Sequence, residues 1–122
     1  MRQEQILRLC HEECVKYADI CENLDELEND EDGTASIDDI AQLRAERRAA
    51  WDRLVNARNE AYTVIANANL SPIYYRIMVS RYLRGMSWTQ IIHKVKKSRR
   101  RVFQLHEEAM KIIEGEQKET EG

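Results

Sequence analysis

Arg99, Arg100 and Arg101 stand in a row behind Ser98, and Lys96 and Lys97 precede them. Five cations in six positions suit the capture of oxyanions, with arginine forks also able to pair with the edge of a guanine. Their placement raises a question. A serine followed by a periodic apolar line reads as a helix start, and that end of a helix already carries the positive pole of its dipole. Cations there are unfavourable in isolation, in a chain whose net charge is -3. Something negative outside the chain is the simplest remedy. A merely solvated face would mix acids with bases, whereas here the bases cluster.

Other reactive side chains offer less. Cys10 and Cys14, in CHEEC, share one helix face, but a tetrahedral metal site needs four ligands. Cys21 lies about 16 Å along the axis from Cys10, and His11 points off that face. The expected role of these thiols is packing, with no metal. His106 borders an inward stripe and is expected to pack, while His93 faces outward, within reach of a phosphate. No Ser/His/Asp or Cys/His arrangement and no phosphate-binding glycine loop occurs. The expectation is therefore a non-enzyme with no cofactor and no small-molecule substrate.

Composition bounds the elements that must position these groups. The chain has 122 residues, 43% hydrophobic and 34% charged, with one proline, four glycines and one phenylalanine. That balance predicts an all-α protein with a thin core rather than a many-stranded sheet. No apolar run nears the ~18 residues of a membrane span, and no signal-like segment opens the chain. Three cysteines, an odd number, read as free thiols in a reducing cytoplasm. Charge is segregated. Residues 1–70 hold 8 Lys/Arg against 16 Asp/Glu, and residues 71–114 hold 10 against 3. An acidic scaffold joined to a basic polyanion-binding module is expected.

The acidic part, 1–70, reads as a long antiparallel helical hairpin and as the oligomerisation element. Leu7, Cys10, Cys14, Tyr17, Cys21 and Leu24 form a seam on a helix over about 2–27. NDEDGTAS, 29–36, is a loop, and Ser36 caps a second helix that Pro72 ends. Its seam runs Ile40, Leu43, Arg47, Ala50, Leu54, Ala57, Ala61, Val64 and Ala68, with Ile65 also placed in the hairpin core. Antiparallel pairing sets Leu24 against Ile40, Cys21 against Leu43 and Cys10 against Leu54, with Arg47 opposite the Tyr17 ring as a cation–π pair. Trp51 and Tyr62 widen the apolar face. The second helix outlasts the first by two to three turns, so its end needs another partner: the basic module, a second chain, or both. A homodimer is expected, against the alternative of a monomeric hairpin with partly exposed aromatics.

The basic part, 71–114, reads as three helices. Ser71-Pro72 starts the first, Gly85 stops it, Ser87 with Gln90 caps the second, and Ser98 caps the last after a Lys96-Lys97 turn. This order is the helix-turn-helix plan of a major-groove reader. With Val102, Leu105, Ala109 and Ile112 inward, Arg99, Arg100, Phe103 and Gln104 face outward as candidate base readers. Ser87, Thr89, His93, Lys96, Lys97, Ser98 and Arg101 are the candidate phosphate contacts. Trp88 is expected in the core. Residues 115–122 are expected to form a disordered acidic tail.

SRRRVFQLHEEAMKII, 98–113, resembles the recognition helix of region 4 of sigma factors: a serine cap, a basic first turn, and Val102 and Ala109 at the family's apolar places. Together with RYLRGMSWTQIIHKV, it is similar to small phage proteins of the ArpU/RinA type, late-gene transcriptional regulators. Ile92 and Lys96 depart from that pattern, which has a small residue and a glycine there. The resemblance covers about 71–113 and implies a dimeric regulator of double-stranded DNA in the cytoplasm of a bacterial host, at its nucleoid. Two alternatives remain at this stage. One is a small terminase-like packaging subunit, and the other is an adaptor that contacts RNA polymerase or a host factor.

Overall fold

The computed structural model describes residues 2–30, 33 and 36–121, with side chains through Gly115. Among the described residues the chain is all-helical: α1 Gln3–Glu28, α2 Ile37–Asn67, α3 Pro72–Met78, a π-helical turn Val79–Leu83, α4 Trp88–Val95 and α5 Arg99–Glu121.

Local hydrogen bonds set most helix starts. The Ser36 hydroxyl accepts from the N–H groups of Asp38 and Asp39. Ser87 Oγ accepts from Gln90 N–H at 3.2 Å while Gln90 Oε1 accepts from Ser87 N–H at 2.9 Å, a reciprocal cap. Ser98 Oγ accepts from Arg101 N–H at 3.2 Å. Each such cap contributes about 1 kcal/mol. Ser71 occupies the cap position before Pro72, but its hydroxyl makes no capping bond.

The helix ends depart more from expectation. α2 stops at Asn67, before Pro72 is reached, because Asn69 turns into the left-handed region at φ 50. Asparagine tolerates that conformation better than most residues. α5 continues as helical backbone through Glu121, across most of the segment expected as a disordered tail. Its Glu, Gln and Lys residues are good helix formers, and one glycine at 115 does not interrupt it. Part of the expected loop, residues 31, 32, 34 and 35, lies outside the described residues.

α1 and α2 lie antiparallel, with Arg53 Nε donating to Glu13 at 3.4 Å and Arg44 to Glu28 at 3.0 Å. Leu7, Cys10, Cys14 and Leu24 are buried there, and Tyr17, Cys21, Ile40 and Leu43 are half-buried. Two expected core residues are not in the core: Trp51 is 45% exposed and Tyr62 53%. The inward stripe of α2 is narrower than expected: the seam alanines Ala50, Ala57 and Ala61 are buried with Leu54 and Ile65, without the two rings. Close approach of α1 over these small residues leaves the large rings outside. Tyr17 meets Trp51 at 5.3 Å between centroids rather than pairing with Arg47, and in the hairpin it is the Arg58 guanidinium that lies over a ring, 6.0 Å from the Trp51 centroid.

The overhanging end of α2 is covered within the chain. Ile65 and Ala68 share one buried cluster with Leu7 and Cys10 of α1, Met78 and Tyr82 beyond α2, and Ala109, Met110 and Ile113 of α5. A second cluster joins Ile77, Ile91, Val95, Val102 and Leu105. α5 thus carries its first turns in one cluster and its later turns in the other. The inward line of α5 ends on Ile113, not Ile112, which is 39% exposed. A 3.6-residue period from Val102 and Leu105 passes midway between 112 and 113, roughly 50° from each, and packing in the larger cluster selects Ile113.

Cys10 is fully buried in the larger cluster. Its thiol is pushed up by its hydrogen bond with Cys14 and then by burial, so it packs as a neutral group. Cys10→Ala is expected to lower unfolding free energy by about 1–2 kcal/mol through the small cavity it leaves, read from urea denaturation.

Candidate nucleic-acid interface

The turn between α4 and α5 is made by Lys96, which takes the left-handed conformation at φ 56, ψ 43. Its N–H closes α4 onto Ile92 O at 3.0 Å. A side chain in this conformation costs roughly 1–2 kcal/mol relative to glycine, so the turn is held by the packing of the helices on either side. Ile91 and Val95 of α4 meet Val102 and Leu105 of α5, and Ile92 packs half-buried at their edge.

That packing turns the cations out. Lys96, Lys97, Arg99, Arg100 and Arg101 are all exposed, and among the described residues none of the five is in an ion pair. Two acidic side chains of α5 go elsewhere: Glu107 lies 3.8 Å from Lys111, and Glu108 accepts from the Tyr74 hydroxyl at 2.7 Å. That bond, with burial, raises the Tyr74 phenol above its usual value. Ser87, Thr89 and His93 are exposed along α4, and Ser98 at the cap of α5.

Two expected base readers are engaged differently than supposed. Gln104 is exposed, but its Oε1 accepts from Arg101 Nη1 at 3.0 Å, so a base contact would require that bond to open. Phe103 is 38% exposed and has the edge of Trp88 against it, 5.0 Å between centroids. The Arg99 guanidinium stands 5.8 Å from the same ring. Trp88, expected in the core, is half-buried between Phe103, the His106 ring at 4.9 Å and the Arg81 guanidinium at 4.4 Å. His106 does pack inward, and its Nε2 shares a 2.7 Å hydrogen bond with the Tyr82 hydroxyl. Burial, and then the nearby Arg81, lower its affinity for a proton.

The acidic helices hold this module by its carbonyls. A π turn leaves carbonyl groups without the usual partner four residues on. His11 Nδ1 lies 2.7 Å from Arg81 O, and Arg58 Nε donates to Leu83 O at 2.9 Å. Cys14 Sγ donates to the same Leu83 oxygen at 3.4 Å. His11 and Arg58 were not expected here, since no local pattern marks a side chain that caps a turn 25 or 70 residues away. Among the described residues no group of three or more His, Cys, Asp or Glu could hold a metal ion, and no helix is long and apolar enough to cross a membrane. Comparison of the chain with protein-family models, with curated proteins and with solved structures finds no match.

Proposed function

We propose that the chain is a sequence-specific DNA-binding transcriptional regulator of the phage late-gene type, working as a homodimer in the bacterial cytoplasm. In this reading α4, the Lys96-Lys97 turn and α5 form a helix-turn-helix whose α5 enters the major groove. The observation that carries it is the set of five exposed cations at the turn and the start of α5, none of them in an ion pair among the described residues. A helix start with three arginines is unfavourable by some tenths of a kcal/mol per charge in the free protein. A phosphate backbone reverses that sign and favours each contact by counterion release.

Dimerisation would use the outer side of α2, where Trp51 and Tyr62 are exposed, since the end of α2 is already covered by its own chain. Two linked half-site readers bind far more tightly than one, which gives the dimer a purpose. The test is selection of bound fragments from random genomic DNA, with sedimentation of the intact chain alongside. Enrichment of a two-fold symmetric site by a dimer is the expected result. A monomer at micromolar concentration would end the dimer reading, a ring of eight or more would favour DNA packaging, and failure to enrich any site would leave a protein-binding adaptor as the better account.

A further inference from the structure

Arg81 is a partly buried guanidinium with no carboxylate partner among the described residues. It lies in the π turn, and burial lowers its affinity for its proton. Nη1 donates to Met86 O at 3.0 Å and the fork lies over Trp88, yet among the described residues no carboxylate pairs with it. A desolvated charge held only by a carbonyl and a ring face is costly unless something else compensates it. π turns are inserted at a cost in regular helix and are frequent at functional sites.

The guanidinium opens onto a cleft of about 290 Å³ between α1 and the basic helices. Arg8, His11 and Glu12 line it from α1, and Arg81, Trp88 and His106 line it from the other side. Tyr82 closes part of the floor. Arg8 is paired with Glu4 at 2.6 Å, and His11 is taken up by Arg81 O at 2.7 Å. The remaining guanidinium N–H groups of Arg81 have no hydrogen-bond partner among the described residues and can donate into the cleft. Glu12, on the rim, is exposed and more than 4 Å from any Arg81 nitrogen.

We infer that this cleft binds a small-molecule oxyanion, a carboxylate or a phosphate on a body no larger than about one ring. The size follows from the volume, which is at the lower end of small-molecule sites at roughly 300 Å³. The charge follows from Arg81, and a planar body suits the aromatic walls of Trp88, Tyr82 and His106. Such an occupant would sit one aromatic contact from the exposed face of α5, because Trp88 packs on Phe103. The inference goes beyond the DNA reading and its test contains no DNA, so either can fail without the other.

The experiment titrates the full chain, carrying Trp51→Phe so that Trp88 alone reports, with inorganic phosphate and separately with benzoate, chloride holding ionic strength constant. A saturable change in indole emission at millimolar anion is the expected result, and the probe that saturates first tells phosphate from carboxylate chemistry. Arg81→Gln is expected to weaken it about tenfold, as loss of a charge-assisted pair does. Glu12→Gln, which removes the rim's negative charge at nearly constant size, is expected to leave stability unchanged and to tighten it severalfold. Linear, unsaturated responses to both probes would overturn the inference. So would a response that survives Arg81→Gln but disappears in Arg99→Ala/Arg100→Ala, since the anion would then sit on the start of α5. Destabilisation by Glu12→Gln with no tightening would show that Glu12 itself neutralises Arg81, and would overturn it as well.

Discussion

Arg99→Ala or Arg100→Ala is expected to lower affinity for a preferred duplex by about 1–3 kcal/mol and to relax selectivity at one or two base pairs. Lys97→Ala is expected to weaken preferred and scrambled DNA alike and to reduce the salt slope by about one unit. The contrast follows from placement. Arg99 and Arg100 are on the exposed start of α5, whereas Lys97 lies in the turn before it. A second readout separates recognition from folding. Removing a cation from the positive end of a helix relieves a repulsion, so the free variants are expected to be as stable as the parent or more so by a few tenths of a kcal/mol. Binding and stability thus move in opposite directions at these residues. Binding isotherms on both duplexes across a salt series, with urea denaturation of the free proteins, check both signs. Equal loss on both duplexes for Arg99→Ala and Lys97→Ala would mean that α5 does not read sequence.

Gly85→Ala is expected to destabilise the chain by about 2–5 kcal/mol, from two separate causes. Gly85 has φ +69, where a side chain costs roughly 1–2 kcal/mol, and an added Cβ would lie 2.4 Å from Cys14 Cβ. No contact of that kind survives without a shift of α1 against the start of α4, an overpacking cost of about 1–3 kcal/mol. Gly33 supplies the control: its φ is +65 but a Cβ there meets nothing within 4 Å. Gly33→Ala therefore carries the backbone cost alone, and the difference between the two variants measures the packing cost. Cys14→Ala leaves the clashing Cβ in place and should not rescue Gly85→Ala. Cys14→Gly removes it and should recover part of the loss as a coupling energy in the double mutant. Equal effects at Gly33 and Gly85 would mean that α1 does not hold the loop before α4 at this point.

Much of what depends on one turn of chain could be read directly, although the expected Ser71 cap does not form and Asn69 ends α2 before Pro72. The Ser36, Ser87 and Ser98 caps are bonds between residues two or three apart, so the residue types alone predict them. The Leu7, Cys10, Cys14 and Leu24 seam is a matter of helical period, and so is the outward turn of Arg99 and Arg100 opposite Val102 and Leu105. The segregation of acids and bases also needs no fold to be seen. What only the tertiary structure decided is where unlike segments meet. Alanines on α2 allow α1 so close that Trp51 and Tyr62 stay outside, although their own spacing suggests an apolar face. The π turn adds a residue to its helix, which moves Arg81 over Trp88 and Tyr82 into the larger core, and no propensity marks that insertion. Its freed carbonyls are met by His11 and Arg58, residues far away in the chain. Caps and periods are enforced by bonds within a few residues, so they are written in the local residue types. Close approach and long-range carbonyl capping are enforced by the shape of a second segment, and that shape exists only once the chain has folded.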